Sequence, residues 1–227
     1  MSLRAIVFDF DGVLANSEPL HYRAYRDVLA PLGVALSEAD YYSRYLGYDD
    51  VGAFRKIAED GNHEWTAQRV AALVADKASL MEVLERDVSV LFPGAADVVR
   101  RAAAVVPIAI ASGALRVEIE RVLVREHLLP FFTAIVGADD TAQSKPAPDP
   151  YLAAVDRLSE AAGNRIEPRE CVAIEDSVWG LESARAAGLR TVGVMHTYSQ
   201  TELGRTDLTV RSINDLDLRT LAALFSE

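Results

Sequence analysis

Between Ala5 and Phe8 the chain is uninterruptedly apolar, and the run stops at Asp9. Such a short run, bounded by acids, reads as a strand buried on both faces, the kind found inside a parallel sheet. The period then changes. Over residues 18–32 the apolar positions are Leu20, Tyr22, Ala24, Tyr25, Val28, Leu29 and Leu32, a helical spacing that ends at Gly33. Ser37, with Asp40 three residues on, marks a second helix start. Asp49 or Asp50 caps a third helix, through Ala53, Phe54, Ile57 and Ala58 to Gly61. Residues 66–84 form a longer amphipathic helix with Val70, Leu73, Val74, Ala78, Met81 and Leu84 on its inner face. Residues 18–89 carry no strand signal.

After Pro93-Gly94 helices and apolar strands alternate. Helices are expected over 95–104, 115–126, 149–158, 179–187 and 216–224, with strands over 106–111, 134–136, 171–174, 191–194 and 208–210. That alternation predicts an α/β protein with a doubly wound, parallel, Rossmann-like sheet. Residues 1–15 and 90–227 then make one core. Residues 16–89 are expected to make an inserted, all-helical cap that leaves the sheet just after Asp9 and Asp11 and so should hang over them. The crossings near 15–17 and 91–93 are its expected hinges.

Composition narrows the reading. Half of the residues are hydrophobic, 7% are aromatic, and 227 residues suffice for one large core with a small second domain. The net charge of −11 disfavours nonspecific nucleic-acid binding and anionic membranes. It also means that an anionic substrate needs local cations. Cys171 is the only cysteine, so no intrachain disulfide forms; its place in a buried strand suits an inert core thiol. No signal peptide or membrane span is read at the N-terminus, and a cytoplasmic protein is expected. A monomer is expected, with a dimer left open.

Polar groups stand at four strand ends. Asp9 and Asp11 follow the first strand, on one side of it by alternation. Carboxylates that close repel, which a divalent cation relieves, and hard oxygen ligands suit Mg²⁺. Ser112-Gly113 ends the second strand, Lys145 lies in Ser144-Lys-Pro-Ala-Pro-Asp149 after the third, and Glu175-Asp176 ends the fourth. Pro146 and Pro148 restrict the loop around Lys145. This ordered set resembles the haloacid dehalogenase superfamily, and within it the branch with a helical cap after the first strand, which includes β-phosphoglucomutase and phosphoglycolate phosphatase. The resemblance covers nearly the whole chain.

The resemblance implies a Mg²⁺-dependent phosphatase of a small phosphorylated metabolite, a sugar phosphate or a short organic phosphate ester. Asp9 is suited to be the nucleophile that forms an aspartyl phosphate, and Mg²⁺ and Lys145 are expected to hold its pKa down. Asp11 is suited to general acid–base work, and its backbone carbonyl to the metal. Asp176 would ligate the metal directly; Glu175 directly or through water. Ser112 and the N–H groups of Gly113 and Phe10 would hold phosphoryl oxygens.

For the substrate's other end the resemblance points to Ser17, His21 and Gly47 of the cap, and Arg116 is a further candidate cation. The chain also departs from the family pattern. The mutases have an arginine shortly after the glycine matching Gly47, where this sequence reads Tyr48-Asp-Asp-Val-Gly52; Arg55 is the next cation, and Arg44 precedes the loop. That departure disfavours the alternative of a β-phosphoglucomutase-type phosphomutase. A 2-haloacid dehalogenase, which needs no metal, and a non-catalytic binding module are the remaining alternatives. Lys77 lies near a mutase cap lysine with altered spacing, and His63, His127 and His196 show no interpretable partner spacing.

Overall fold

The computed structural model describes residues 2–46, 48–84, 86 and 88–226. In chain order its elements are β1 (Ala5–Phe8), α1 (Glu18–Leu29), α2 (Glu38–Asp40), α3 (Asp50–Asp60), α4 (Ala67–Leu84), α5 (Ala95–Ala103), β2 (Ile108–Ala111), α6 (Arg116–Arg125), β3 (Ala134–Val136), α7 (Asp149–Ala162), β4 (Cys171–Glu175), α8 (Val178–Ala187), β5 (Arg190–Val194), α9 (Gln200–Leu203), β6 (Leu208–Val210) and α10 (Leu218–Ala223). The chain divides into two compact units, one of Met1–Asn16 with Val90–Glu227 and one of Ser17–Ser89.

In the first unit six parallel strands lie in the order β3-β2-β1-β4-β5-β6. Strand order reverses between β1 and β4, and such a switch point opens a crevice at the carboxyl ends of the strands. Ile6 pairs with Ile108 on one side and Val172 on the other, so β1 is flanked on both edges. Every residue of β1, β2 and β4 is buried, as expected when helices cover both faces. Tyr151, Ala154, Val155 and Leu158 of α7 close one face over Val7, Ala109 and Ala173. Beside the sheet the two chain crossings pair: Asn16 N–H donates to the Val90 carbonyl (2.6 Å) and Phe92 N–H to the Leu14 carbonyl (2.9 Å).

The second unit is helical. Its core gathers Tyr25, Leu29, Tyr41, Phe54, Ile57, Val70 and Leu73. Burying each large side chain there contributes about 1.5–3 kcal/mol. Ser37 caps Asp40 and Asp49 caps Gly52 through their side-chain oxygens. α2 continues into one π-type turn, Tyr41–Tyr45.

Several boundaries differ from expectation for local reasons. β2 starts at Ile108 rather than 106, after Pro107, which has no N–H for a ladder. The last turn of the first helix, Ala30–Leu32, tightens to 3₁₀ around Pro31. α7 runs on to Ala162, where left-handed Gly163 ends it. α10 is two residues shorter at its start than expected and one shorter at its end, and α9 carried no signal in the sequence. On α4 the buried stripe is Val70, Leu73, Lys77 and Met81, with Ala78 exposed. Among the described residues no helix is long and apolar enough to cross a membrane.

Candidate active site

Acidic groups from the ends of β1 and β4 meet Lys145 at the crevice. Asp9 leaves β1 with its N–H on the Ile174 carbonyl of β4 (2.9 Å), which ties it to the neighbouring strand. Asp9, Glu175 and Asp176 are all buried, and one carboxylate oxygen from each lies within 4.8 Å of the others. The Lys145 ammonium, 136 residues from Asp9, sits between two of them, donating to Asp9 Oδ1 at 2.9 Å and Glu175 Oε1 at 2.6 Å. The loop that carries it is pinned to α8, because Ser183 Oγ donates to the Ala147 carbonyl (2.5 Å).

Glu175 is fully enclosed. Its oxygens accept from five donors: Lys145, the Tyr151 hydroxyl (2.9 Å), the N–H groups of Asp176 and Ser177, and the Ser177 hydroxyl. A Cβ on Gly180 would fall on its carboxylate, so glycine is the residue that lets α8 start this close to β4. Asp9 Oδ2 and Asp176 Oδ1, by contrast, accept from no other residue among the described ones. Thr197 donates to Asp176 Oδ2.

Three carboxylates around one ammonium leave a formal excess of two negative charges in a buried place. Burial raises the Asp9 carboxyl well above the usual carboxylate range and Glu175 adds to this; Lys145 lowers it but is outweighed. Lys145 thus acts on Asp9 in the expected direction, and this balance is that of the metal-free protein. Burial and Glu175 push Asp176 up to about 7, against Thr197 and Lys145. Burial alone would lower Lys145, but Asp9 and Glu175 raise it net, so it stays cationic. Two open carboxylate oxygens, two surplus negative charges and hard oxygen donors fit a divalent cation such as Mg²⁺.

A pH dependence follows. In metal-free protein Asp9 and Asp176 keep their protons to higher pH when folded than when unfolded. From about 4, the unfolded value, up to about 7 at Asp176, these groups bind more protons in the folded chain. Their contribution to stability therefore falls as pH rises through that window. His21, which burial and Lys77 push down to about 4, acts in the opposite direction. The informative quantity is the rise in melting temperature on adding Mg²⁺ to chelator-treated protein. It is expected to grow from pH 5 to pH 8; a constant rise would contradict this electrostatic account.

Ser112 is buried at the end of β2. Its Oγ accepts from Ala114 N–H (3.1 Å), and the hydroxyl proton has no acceptor among the described residues. The N–H groups of Phe10 and Gly113 likewise have no protein acceptor among them. Asp11 is half-buried, in a turn closed by Gly12 N–H on the Ala15 carbonyl (2.8 Å) and by Leu14 and Ala15 N–H on the Phe10 carbonyl (both 2.9 Å). Gly12 itself has φ +79°, and a Cβ there would meet the Asp176 carboxylate.

Arg116 is a correction. Its guanidinium donates to both oxygens of Asp140 (3.0 and 2.9 Å), to the Ile135 carbonyl and to Glu120. With Arg157 it braces the edge strand β3, so it is not a cation held ready for a leaving group. Gly47 lies outside the described residues.

In the helical unit, Ser17 precedes α1 and its carbonyl accepts from Leu20 and His21 N–H (2.8 and 3.0 Å). His21 Nδ1 lies 2.8 Å from the Lys77 ammonium, which also pairs with Asp50. Tyr25 donates to the same Asp50 oxygen (2.7 Å), and its ring faces Lys77 at 4.6 Å. An ammonium has only protons to offer, so His21 Nδ1 accepts, and the neutral ring carries its proton on Nε2. Arg44 is paired with Asp60 and Asp40.

The sequence reading missed Tyr151, Thr197 and His196. The His196 ring donates from Nδ1 to the Gly12 carbonyl (2.8 Å), accepts at Nε2 from Ile213 N–H (3.2 Å), and stacks on Phe92. Cys171 is a buried thiol, pushed up to about 12 chiefly by burial, as an inert cysteine should be.

Comparison with known proteins agrees with this geometry. A family model described as haloacid dehalogenase-like hydrolase matches residues 3–188. Hexitol phosphatase B of Escherichia coli K12 is 31% identical over 226 residues, 96% of each chain. Protein CbbY of Rhodobacter capsulatus is 32% identical over 207 residues, 88% of each chain. The crystal structure of CbbY from Rhodobacter sphaeroides in complex with xylulose-(1,5)bisphosphate superposes with a TM-score of 0.75 at 28% identity, covering 95% of this chain and 96% of that one.

Proposed function

This chain belongs to the haloacid dehalogenase-like hydrolases, and from that premise we propose that it is a Mg²⁺-dependent phosphatase of a small phosphorylated metabolite, with sugar phosphates as the first substrate class to test. The observation that carries the reading is the convergence of Asp9, Lys145, Glu175 and Asp176 at the β1/β4 switch point, with Ser112 ending the adjacent strand β2.

Asp9 attacks the phosphorus in line and becomes an aspartyl phosphate as the ester P–O bond breaks. Its Oδ1 is fixed by Lys145, which leaves Oδ2 to react or to ligate. Asp11 gives its proton to the departing alkoxide, then takes one from the water that opens the acyl phosphate. The Ser112 hydroxyl and the N–H groups of Phe10 and Gly113 donate to the non-bridging oxygens, where negative charge grows. Asp9, Asp176 and the Asp11 carbonyl would hold Mg²⁺, which neutralises phosphoryl charge when bound. Glu175, its oxygens already taken, keeps Lys145 in place. Residues 16–89 are assigned as the cap, the part of the chain that would select the substrate.

Hydrolysis is favoured over a mutase because the described residues after the cap loop, Tyr48 to Gly52, offer no cation and Arg44 is already paired. The sugar-phosphate class rests on relatives such as hexitol phosphatase B and the fructose-1-phosphate phosphatase YqaB of E. coli, the latter 30% identical over 200 residues. A panel of phosphate esters with Mg²⁺ tests it: phosphate release from hexose, hexitol or pentulose phosphates, lost on chelation, is expected. Conversion of glucose 1-phosphate to glucose 6-phosphate without free phosphate would replace it with the mutase reading.

A further inference from the structure

We propose that His196 and Thr197, adjacent residues after β5, act as a clip that sets Asp11 and Asp176 relative to each other. The inference rests on the phosphatase reading and assigns two positioning residues to it. His196 holds the Gly12 carbonyl, 184 residues away, and so the backbone of the turn that carries Asp11. Its ring has little freedom: Ile213 N–H fills Nε2, which fixes the proton on Nδ1, and Phe92 stacks on it with centroids 3.8 Å apart. Thr197 donates to Asp176 Oδ2, which leaves Oδ1 as the open oxygen. The donor that orients a ligating carboxylate selects the oxygen that meets the metal.

Gly12 closes the arrangement. At this residue the Asp11 turn and the Asp176 carboxylate approach so closely that no side chain fits between them. A dipeptide gripping both partners at that approach keeps the proton-transfer group and the metal ligand in register. Met195 N–H donates to the Val210 carbonyl (3.0 Å), so the clip is itself anchored to the sheet through β6.

Two isosteric pairs test the two halves separately. Thr197→Val removes the hydroxyl and Thr197→Ser keeps it. His196→Phe keeps the stack without the donor, and His196→Asn restores a donor near the Nδ1 position. Mn²⁺ binding to the protein without substrate, followed by loss of the free-ion EPR signal, is expected to weaken about tenfold in Thr197→Val and to recover in Thr197→Ser. His196→Phe should weaken Mn²⁺ binding less than Thr197→Val does, through the Asp11 carbonyl only, yet lose about tenfold or more in kcat with KM little changed; His196→Asn should recover most of it. Wild-type Mn²⁺ affinity in Thr197→Val, or wild-type kcat in His196→Phe, would overturn the clip. So would losses that simply track a drop in melting temperature and are not rescued by the conservative partners. If wild-type protein releases no phosphate from any ester, the phosphatase reading fails, and the Mn²⁺ arm still decides the hold on Asp176.

Discussion

Asp9→Asn will eliminate phosphate release, by about 10⁴-fold or more, while the protein stays folded. The amide is close to the carboxylate in shape but cannot form a stable phosphoryl adduct. Losing the nucleophile of a covalent mechanism removes the reaction path itself, leaving only what binding and charge stabilisation provide. A factor of 10⁴ corresponds to about 5 kcal/mol on the barrier. The fold should tolerate the change because burial, with Glu175 adding to it, already disfavours a charge at Asp9 despite Lys145. Removing that charge costs the bond to Lys145 and relieves the repulsion from Glu175 and Asp176. Steady-state phosphate release and a thermal melt, run side by side, check both halves of the expectation. Substantial turnover in Asp9→Asn would mean that another group attacks.

Lys145→Met should give the opposite balance, losing activity and fold stability together. Among the described residues the ammonium is the only cation bonded to these buried carboxylates, donating to Asp9 and Glu175. Breaking a buried pair by removing one partner costs about 3–5 kcal/mol, because the other charge stays buried. For a chain of this length that is a fall of roughly 10 °C in melting temperature. Mg²⁺ should restore part of the stability, since it binds the folded state only. It should not restore turnover, because the Lys145 donor to Asp9 Oδ1 is gone. Calorimetry with and without Mg²⁺ reads both effects. An unchanged melting temperature would mean that the carboxylates are protonated in the metal-free protein and that Lys145 adds little to the fold.

The contrast between these variants shows why part of the site was legible in the sequence. Asp9, Asp11, Ser112 and Asp176 follow strands, Glu175 ends one and Lys145 lies in the loop after one, and short apolar runs reveal strand ends. Parallel strands bring those ends to one edge, which is how Asp9, Lys145, Glu175 and Asp176 come together. β1, β3 and β6 were bounded correctly for the same reason. The missed residues share a different origin. Tyr151 lies in the first turn of α7 and reads as core; its hydroxyl finds Glu175 only because α7 packs across β1 and β2. His196 and Thr197 follow β5, yet their partners lie 184 and 21 residues away, and nothing in their neighbourhood marks a spacing. Arg116 looked available because Asp140, its neutralising partner, is 24 residues further on. Lys77 broke an apolar stripe by burying its ammonium against Asp50 and His21, a substitution of pairing for hydrophobicity that periodicity does not see. What the sequence conceals here is pairing at a distance.

The central claim is that Asp9 becomes phosphorylated during turnover. Wild-type protein mixed with Mg²⁺ and a substrate found in the ester panel, quenched within one turnover, can be treated with borohydride, which reduces an acyl phosphate to the alcohol. Peptide mass spectrometry should then find homoserine at position 9, dependent on substrate and Mg²⁺ and absent from Asp9→Asn. Rapid phosphate release with an unmodified Asp9, or with the modification at another carboxylate, would contradict the account.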